Sequence, residues 1–333
     1  MIRIAINGFG RIGRAAAKII FERDDVELVA VNDLGDVETM AHLLKYDSVY
    51  RVWQHEVGFD EGDIIVDRHR IHCYCEKDPS KLPWRELKVD VVIESTGYFL
   101  TKADCEAHLA AGAKKVVISA PPKDDEVKMF VMGVNDREYK GEKIISNASC
   151  TTNCITPVMK ILNDAWGVEK SLMTTVHSYT GDQNLVDGPH KDLRRARSAA
   201  LNIVPTSTGA AKAAYKTIPD LKGKFDGLAI RVPTPVVSLA DMTVLLKKKV
   251  TIDELTETFT KYSQDEMKGI LAVSDEEIVS SDLIGSTYSS IVDLPLIQIV
   301  DGDLVKIIAW YDNEWGYSER LIDMATLAAT WQH

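Results

Sequence analysis

Long apolar runs are missing from this chain of 333 residues. No stretch approaches the roughly 18 uncharged positions that a membrane-spanning helix needs. Cysteine is scarce and odd in number, five in all, which argues against a disulfide framework. Positive charge is in deficit: 39 Lys and Arg stand against 50 Asp and Glu, for a formal charge of −11. Such a chain repels a phosphate backbone at long range, so nucleic acid is not an expected partner and any anion site must be a local basic patch. Repeats, low-complexity tracts and Gly/Ser linkers are also lacking. Nothing reads as a secretory leader, because Met1-Ile2-Arg3-Ile4 runs straight into a strand pattern, and a reducing cytoplasm is the expected compartment. What is present, 45% hydrophobic and 27% charged residues, is the mixture of a soluble globular protein. At roughly 150 residues per domain the length predicts about two domains.

The first half alternates β-branched runs with helical patterns. Strands are expected near 3–7, 27–32, 89–94, 115–119 and 143–146, and helices near 12–23 and 102–111. That alternation predicts parallel strands with right-handed crossovers, a doubly wound α/β layout. After Ser149 the texture changes. A helix containing Pro157 precedes a strand at 171–177, then a polar, Arg-rich stretch at 179–197. Strands at 227–232, 238–247 and 304–311 are less regularly separated by helices, as in an α+β domain, and residues 315–331 are helical again.

Gly8-Phe9-Gly10-Arg11-Ile12-Gly13 is a G-x-G-x-x-G in its proper setting, with a strand before it and a helix after it. Gly8 permits the turn, Gly10 admits a pyrophosphate to the backbone N–H groups, and Gly13 lets the helix pack on the strand. Asp33, ending the next strand, is placed to accept ribose hydroxyls and to repel a 2′-phosphate. NAD is therefore expected over NADP.

Ser149-Cys150-Thr151-Thr152-Asn153-Cys154 feeds a helix start, where the dipole and free N–H groups are expected to lower the Cys150 thiol pKa. Cys154, one turn on, reads as a small buried hydrophobe, and the alternating Cys73 and Cys75 as strand packing. Zinc is not expected, because two cysteines without a second pair or a histidine pair make no site. A nucleophilic cysteine needs a base. His177, ending a strand, is one candidate; His42, His108 and His190 are others. The stretch from His190 to Arg197, then Thr206-Ser207-Thr208-Gly209 opening onto a helix, suits an oxyanion, and Arg231 closes a strand nearby in pattern.

These motifs closely resemble the phosphorylating glyceraldehyde-3-phosphate dehydrogenase family. The similarity is carried by residues 6–14 (INGFGRIGR), 41–49 (AHLLKYDSV), 146–154 (SNASCTTNC) and 174–179 (TTVHSY). It continues through 190–197 (HKDLRRAR), 205–213 (PTSTGAAKA), 231–235 (RVPTP) and 310–318 (WYDNEWGYS). The resemblance implies a Rossmann domain at 1–149 with the C-terminal helix 314–333, a catalytic domain at 150–313, and a homotetramer. It implies Cys150 as nucleophile and His177 as base. Thr180 and Arg231 would hold the substrate C3 phosphate, and Ser149, Thr151, Thr208 and Gly209, with Arg195 nearby, the attacking phosphate. Arg11, Ile12, Asp33, Ser119 and Asn313 would meet NAD, with Lys77 near the adenine where relatives often carry Arg. Leu34 and Pro189 match the NAD-type relatives. Erythrose-4-phosphate dehydrogenase shares the Cys and His but resembles the chain less, lacking the Tyr179-Thr180 and Thr208-Gly209 pattern.

Overall fold

The computed structural model describes residues 1–331, which form two compact units. The first comprises Met1–Phe130, Glu138–Ala148 and the segment from Ser318; the second comprises Val131–Arg137 and Ser149–Tyr317.

Unit one is built on a nine-stranded sheet. Its parallel part runs, in spatial order, Lys128–Met129, Ile144–Ser146, Lys115–Ile118, Val91–Glu94, Ile2–Asn7, Val26–Asn32 and His69–Tyr74. The five strands between these two edges are short and rich in Val and Ile, and Val91–Glu94 is buried along its whole length. That is the signature of a sheet covered on both faces, the doubly wound layout read from the sequence. The helix Arg11–Phe21 buries Ala15, Ala16, Ile19 and Ile20. The helix Lys102–Ala110 starts at a reciprocal cap between Thr101 and Asp104. One feature is not legible in the sequence: two antiparallel strands, Val57–Asp60 and Asp63–Val66, extend the sheet beyond His69–Tyr74.

Unit two is a mixed sheet in the order Val204–Ser207, Phe225–Val232, Val168–Ser178, Ser238–Leu246, Leu304–Tyr311, Ser290–Asp293 and Leu271–Ser274. Gln298–Val300 pairs separately with Leu304–Tyr311. Its core joins Ile155, Val158, Ile161 and Leu162 of the helix Cys150–Trp166 to Met173, Met242, Val244 and Ile307 of the strands. Two registers fix the surroundings of His177. Val168–Ser178 runs parallel to Phe225–Val232, which sets His177 beside Arg231, and Ser238–Leu246 lies antiparallel on its other edge.

Candidate functional site

In unit one the nucleotide fingerprint is a backbone construction. Gly8 has φ +94°, and a Cβ there would fall 2.6 Å from the Ser95 carbonyl carbon and the Thr96 nitrogen. A Cβ on Gly13 would lie 2.2 Å from the Gly8 carbonyl oxygen, so the helix rests directly on the turn. Gly10, by contrast, faces open space, and no side chain caps the helix it begins. That helix has no acid in its first turn, which leaves its positive end available to a phosphate. A cavity of about 580 Å³ adjoins it, lined by Asn7, Gly8, Gly10, Asn32, Asp33, Leu34, Lys77, Thr96 and Phe99 among others. Asp33 is pinned at its rim: Oδ2 accepts from the Phe9 N–H (2.7 Å) and Oδ1 from the Gly35 N–H (3.0 Å). A carboxylate has about four acceptor positions, so two remain for ribose hydroxyls. A glycine cradle for pyrophosphate and a fixed acid for the ribose fit NAD.

The other expected cofactor residues are placed as follows. Ile12 is half-buried in the first turn of the helix. The Arg11 guanidinium pairs with Asp47 (2.6 Å) and lies over the Tyr50 ring. Ser119 follows the strand Lys115–Ile118 and donates its N–H to the Glu94 carbonyl. Asn313, in unit two, is buried and accepts a hydrogen bond from Ser238 Oγ.

In unit two, Ser149 caps the helix Cys150–Trp166 by accepting from the Thr152 N–H, so Cys150 is the first helical residue. Its Sγ lies 3.5 Å from His177 Nε2. His177 Nδ1 lies 2.7 Å from the Ser178 carbonyl oxygen. A carbonyl only accepts, so Nδ1 carries the proton and Nε2 turns a lone pair to the sulfur. Among the four candidate histidines, His177 is the one found against Cys150. His42 is exposed on a surface helix, His190 bonds locally to Asp192, and His108 is buried in unit one.

Electrostatically the pair departs from the helix-start expectation. Burial pushes the Cys150 thiol up, and Arg231 and Thr151 pull it only part of the way back. Burial, then the Arg231 charge, takes His177 down to about 3. Burial thus acts on both groups toward their neutral forms. Cys154 is fully buried, its thiol pushed well up by desolvation, in keeping with packing. Cys73, on the strand His69–Tyr74, is pushed up to about 11 for the same reason.

Beside the pair stands the basic cluster. Arg231 Nη1 donates to Thr180 Oγ1 (2.7 Å) and to the Ser178 carbonyl (3.3 Å). Arg195 donates to Thr206 Oγ1 and the Ser207 carbonyl. Sequence reasoning missed the residue joining them. Asp182 accepts from Thr180 Oγ1 and Arg195 and stands 3.9 Å from Arg231. Burial acts to raise its carboxyl, but Thr180 and the two guanidiniums outweigh that and hold it low. Tyr311 was also missed. Its buried hydroxyl bridges Thr151 Oγ1 (2.9 Å) and Thr175 Oγ1 (2.8 Å), and its ring meets His177 edge-on. The Thr151 hydroxyl therefore lies between Tyr311 and the thiol, 4.0 Å from Cys150 Sγ. Thr208 and Gly209 open the helix Ala210–Thr217, whose N-cap Gly209 supplies no side chain.

A dinucleotide cradle in one unit, and a thiol 3.5 Å from an imidazole beside an arginine cluster in the other, are the parts of an NAD-linked oxidoreductase. Residues 2–102 match the family model described as glyceraldehyde 3-phosphate dehydrogenase, NAD binding domain, and residues 149–313 match its C-terminal domain. A glyceraldehyde-3-phosphate dehydrogenase from Streptomyces coelicolor is 53% identical over 97% of each chain. One from Geobacillus stearothermophilus is 50% identical over 99% of this chain and 98% of its own. A glyceraldehyde-3-phosphate dehydrogenase 2 from a Nostoc species is 52% identical over 99% of both. The chain belongs to the glyceraldehyde-3-phosphate dehydrogenase family.

Proposed function

We propose that the chain oxidises D-glyceraldehyde 3-phosphate to 1,3-bisphosphoglycerate with reduction of NAD and uptake of inorganic phosphate. The observation that carries this reading is the Cys150–His177 pair with its bare Nε2 facing the sulfur. As Sγ attacks the aldehyde carbon, Nε2 takes the thiol proton and returns it to the new alkoxide, giving a hemithioacetal. NAD, when bound, supplies the two-electron acceptor for the carbon-bound hydride. His177 then takes the hydroxyl proton as the carbonyl re-forms, leaving a thioester on Cys150. Phosphate attacks that thioester, the acyl phosphate departs, and the sulfur recovers its proton from His177. Arg231 and Thr180 hold the C3 phosphate; Ser149, Thr151, Thr208 and Gly209, with Arg195, receive the incoming phosphate. In this reading Gly8, Gly10, Arg11, Ile12, Gly13, Asp33, Lys77, Ser119 and Asn313 serve NAD. The labour divides between an NAD-binding domain, 1–149 with the C-terminal segment 314–333, and a catalytic domain, 150–313.

The test is NADH formation from glyceraldehyde 3-phosphate with and without phosphate or arsenate, against erythrose 4-phosphate as competing substrate. Sustained turnover without phosphate would overturn the phosphorylating assignment. A homotetramer is part of the proposal. It is supported by large apolar side chains that unit two leaves exposed, among them Leu172, Leu193, Leu201 and Ile203. Light scattering of the purified chain reads the assembly. Five free cysteines suit a reducing cytoplasm, and among the described residues no helix is long and apolar enough to cross a membrane.

A further inference from the structure

Behind the cofactor cavity of unit one lies a buried polar cluster that neither the glycine turn nor the thiol chemistry uses. Glu94 ends the strand Val91–Glu94, His108 sits in the helix Lys102–Ala110, and both side chains are fully buried. Trp84, also fully buried, donates its indole N–H to His108 Nδ1 at 3.0 Å. An indole nitrogen can only donate, so Nδ1 is bare and the imidazole proton sits on Nε2, 3.1 Å from Glu94 Oε2. The same carboxylate oxygen accepts from Asn7 Nδ2 (2.6 Å), and Oε1 accepts from the Thr96 N–H (2.8 Å) and hydroxyl. Four donors thus saturate Glu94, with no cation among them. The ordering continues outward: Asn7 Oδ1 accepts from Asn32 Nδ2 (2.7 Å), and Asn32 Oδ1 from the Glu76 N–H (2.9 Å).

Asn7, Asn32, Glu76 and Thr96 all line the cofactor cavity, whereas Glu94 and His108 do not. They come from four separate segments of chain, and one hydrogen-bonded system rooted in Glu94 ties them together. We infer that Glu94 and His108 are positioning residues for NAD, holding the cavity wall in register without touching the cofactor. A satisfied core pair would need no such route to the wall. The inference rests on NAD binding in unit one.

The experiment is calorimetric titration of the full chain with NAD, for wild type, His108→Leu, His108→Gln and Glu94→Gln. Leucine removes both hydrogen bonds of His108; glutamine keeps one acceptor and one donor. Glu94→Gln turns an amide N–H2 toward groups that are themselves donors. The expected result is a Kd for NAD raised about tenfold or more in His108→Leu and Glu94→Gln, the size expected when a buried charged acceptor loses its complement. His108→Gln should stay close to wild type. The KM for glyceraldehyde 3-phosphate and the alkylation rate of Cys150 should be unchanged in all three, which a general loss of folding would not allow. NAD affinity within twofold of wild type in both His108→Leu and Glu94→Gln overturns the inference. So does His108→Gln binding as weakly as His108→Leu, since ring packing would then be the cause. Should His108→Leu fail to fold, weak Glu94→Gln beside intact His108→Gln still supports the inference, and both intact overturns it. A wild-type chain that binds no NAD overturns the cofactor reading itself.

Discussion

The two candidate sites are made of different material. In unit one the seat is main chain: a glycine at φ +94°, a second glycine pressed on a carbonyl, and an uncapped helix start. In unit two the reacting groups are side chains, a thiol, an imidazole and two guanidiniums joined by Asp182. A backbone seat tolerates changes in its surroundings but not the addition of one methyl group. A side-chain site behaves the other way: each member is replaceable in shape, but its charge state depends on every neighbour. The raised thiol and depressed imidazole express that dependence.

The sharpest separation comes from Cys150→Ser. A serine hydroxyl is rarely ionised and its ester is less activated than a thioester. Turnover should fall by about 10⁴-fold or more, as when a nucleophile is removed. NAD affinity, set mainly by the glycine turn and Asp33 of unit one, should change little. Stopped-flow NADH formation and NAD titration on the same preparation check both halves. Loss of NAD binding together with turnover would break the division between the sites.

His177→Asn comes next. Losing a positioned acid–base group costs about 10²–10⁴ in rate, and asparagine keeps a polar side chain without a basic nitrogen. Single-turnover NADH formation should slow by that amount. A normal rate would mean that the lone pair facing the sulfur has no part in the chemistry.

The same difference in material decides how much the sequence revealed. Backbone seats are local, so Gly8, Gly10 and Gly13 lie within six residues and their spacing is the structure. The strand at 3–7 and the helix at 12–23 needed only a boundary shift, to Ile2–Asn7 and Arg11–Phe21. The hairpin Val57–Val66 escaped because Gly58 and the polar turn at Asp60-Glu61-Gly62-Asp63 interrupt its alternation. In unit two the decisive relation is a sheet register, His177 beside Arg231, between residues far apart in the chain. No local pattern encodes that pairing. Asp182 was hidden in an irregular stretch, and Tyr311 looked like an ordinary strand end. At Cys150 the helix start acts to lower the thiol pKa, while burial, a property of the folded surroundings that no local pattern encodes, acts to raise it.

Arg231→Ala tests that coupling at smaller cost. A charge-assisted contact to phosphate contributes roughly 1.5–3 kcal/mol, an order of magnitude or more in binding. The KM for glyceraldehyde 3-phosphate should therefore rise far more than that for unphosphorylated glyceraldehyde. The guanidinium also lowers the thiol pKa, so its removal should move the alkylation profile of Cys150 to higher pH. Mass-mapped iodoacetamide labelling against pH reads the shift. An equal loss with both substrates and an unmoved profile would make Arg231 a structural residue.

Asp33→Ala carries the smallest effect and probes unit one where a side chain does enter its backbone seat. The carboxylate does two jobs at once. It accepts from the Phe9 and Gly35 N–H groups, and its remaining lone pairs are available to the ribose. Alanine orphans the Phe9 N–H inside the glycine turn, so efficiency with NAD should fall several-fold whatever the ribose does, as when a buried donor is left unmet. Efficiency with NADP loses the same turn support but escapes repulsion between a carboxylate and a 2′-phosphate. The ratio of kcat/KM for NAD over NADP should therefore drop by about tenfold, roughly the value of one charged contact. The ratio separates the two jobs. If NAD efficiency falls while the ratio holds, Asp33 only braces the turn, and cofactor choice lies elsewhere in the cavity wall.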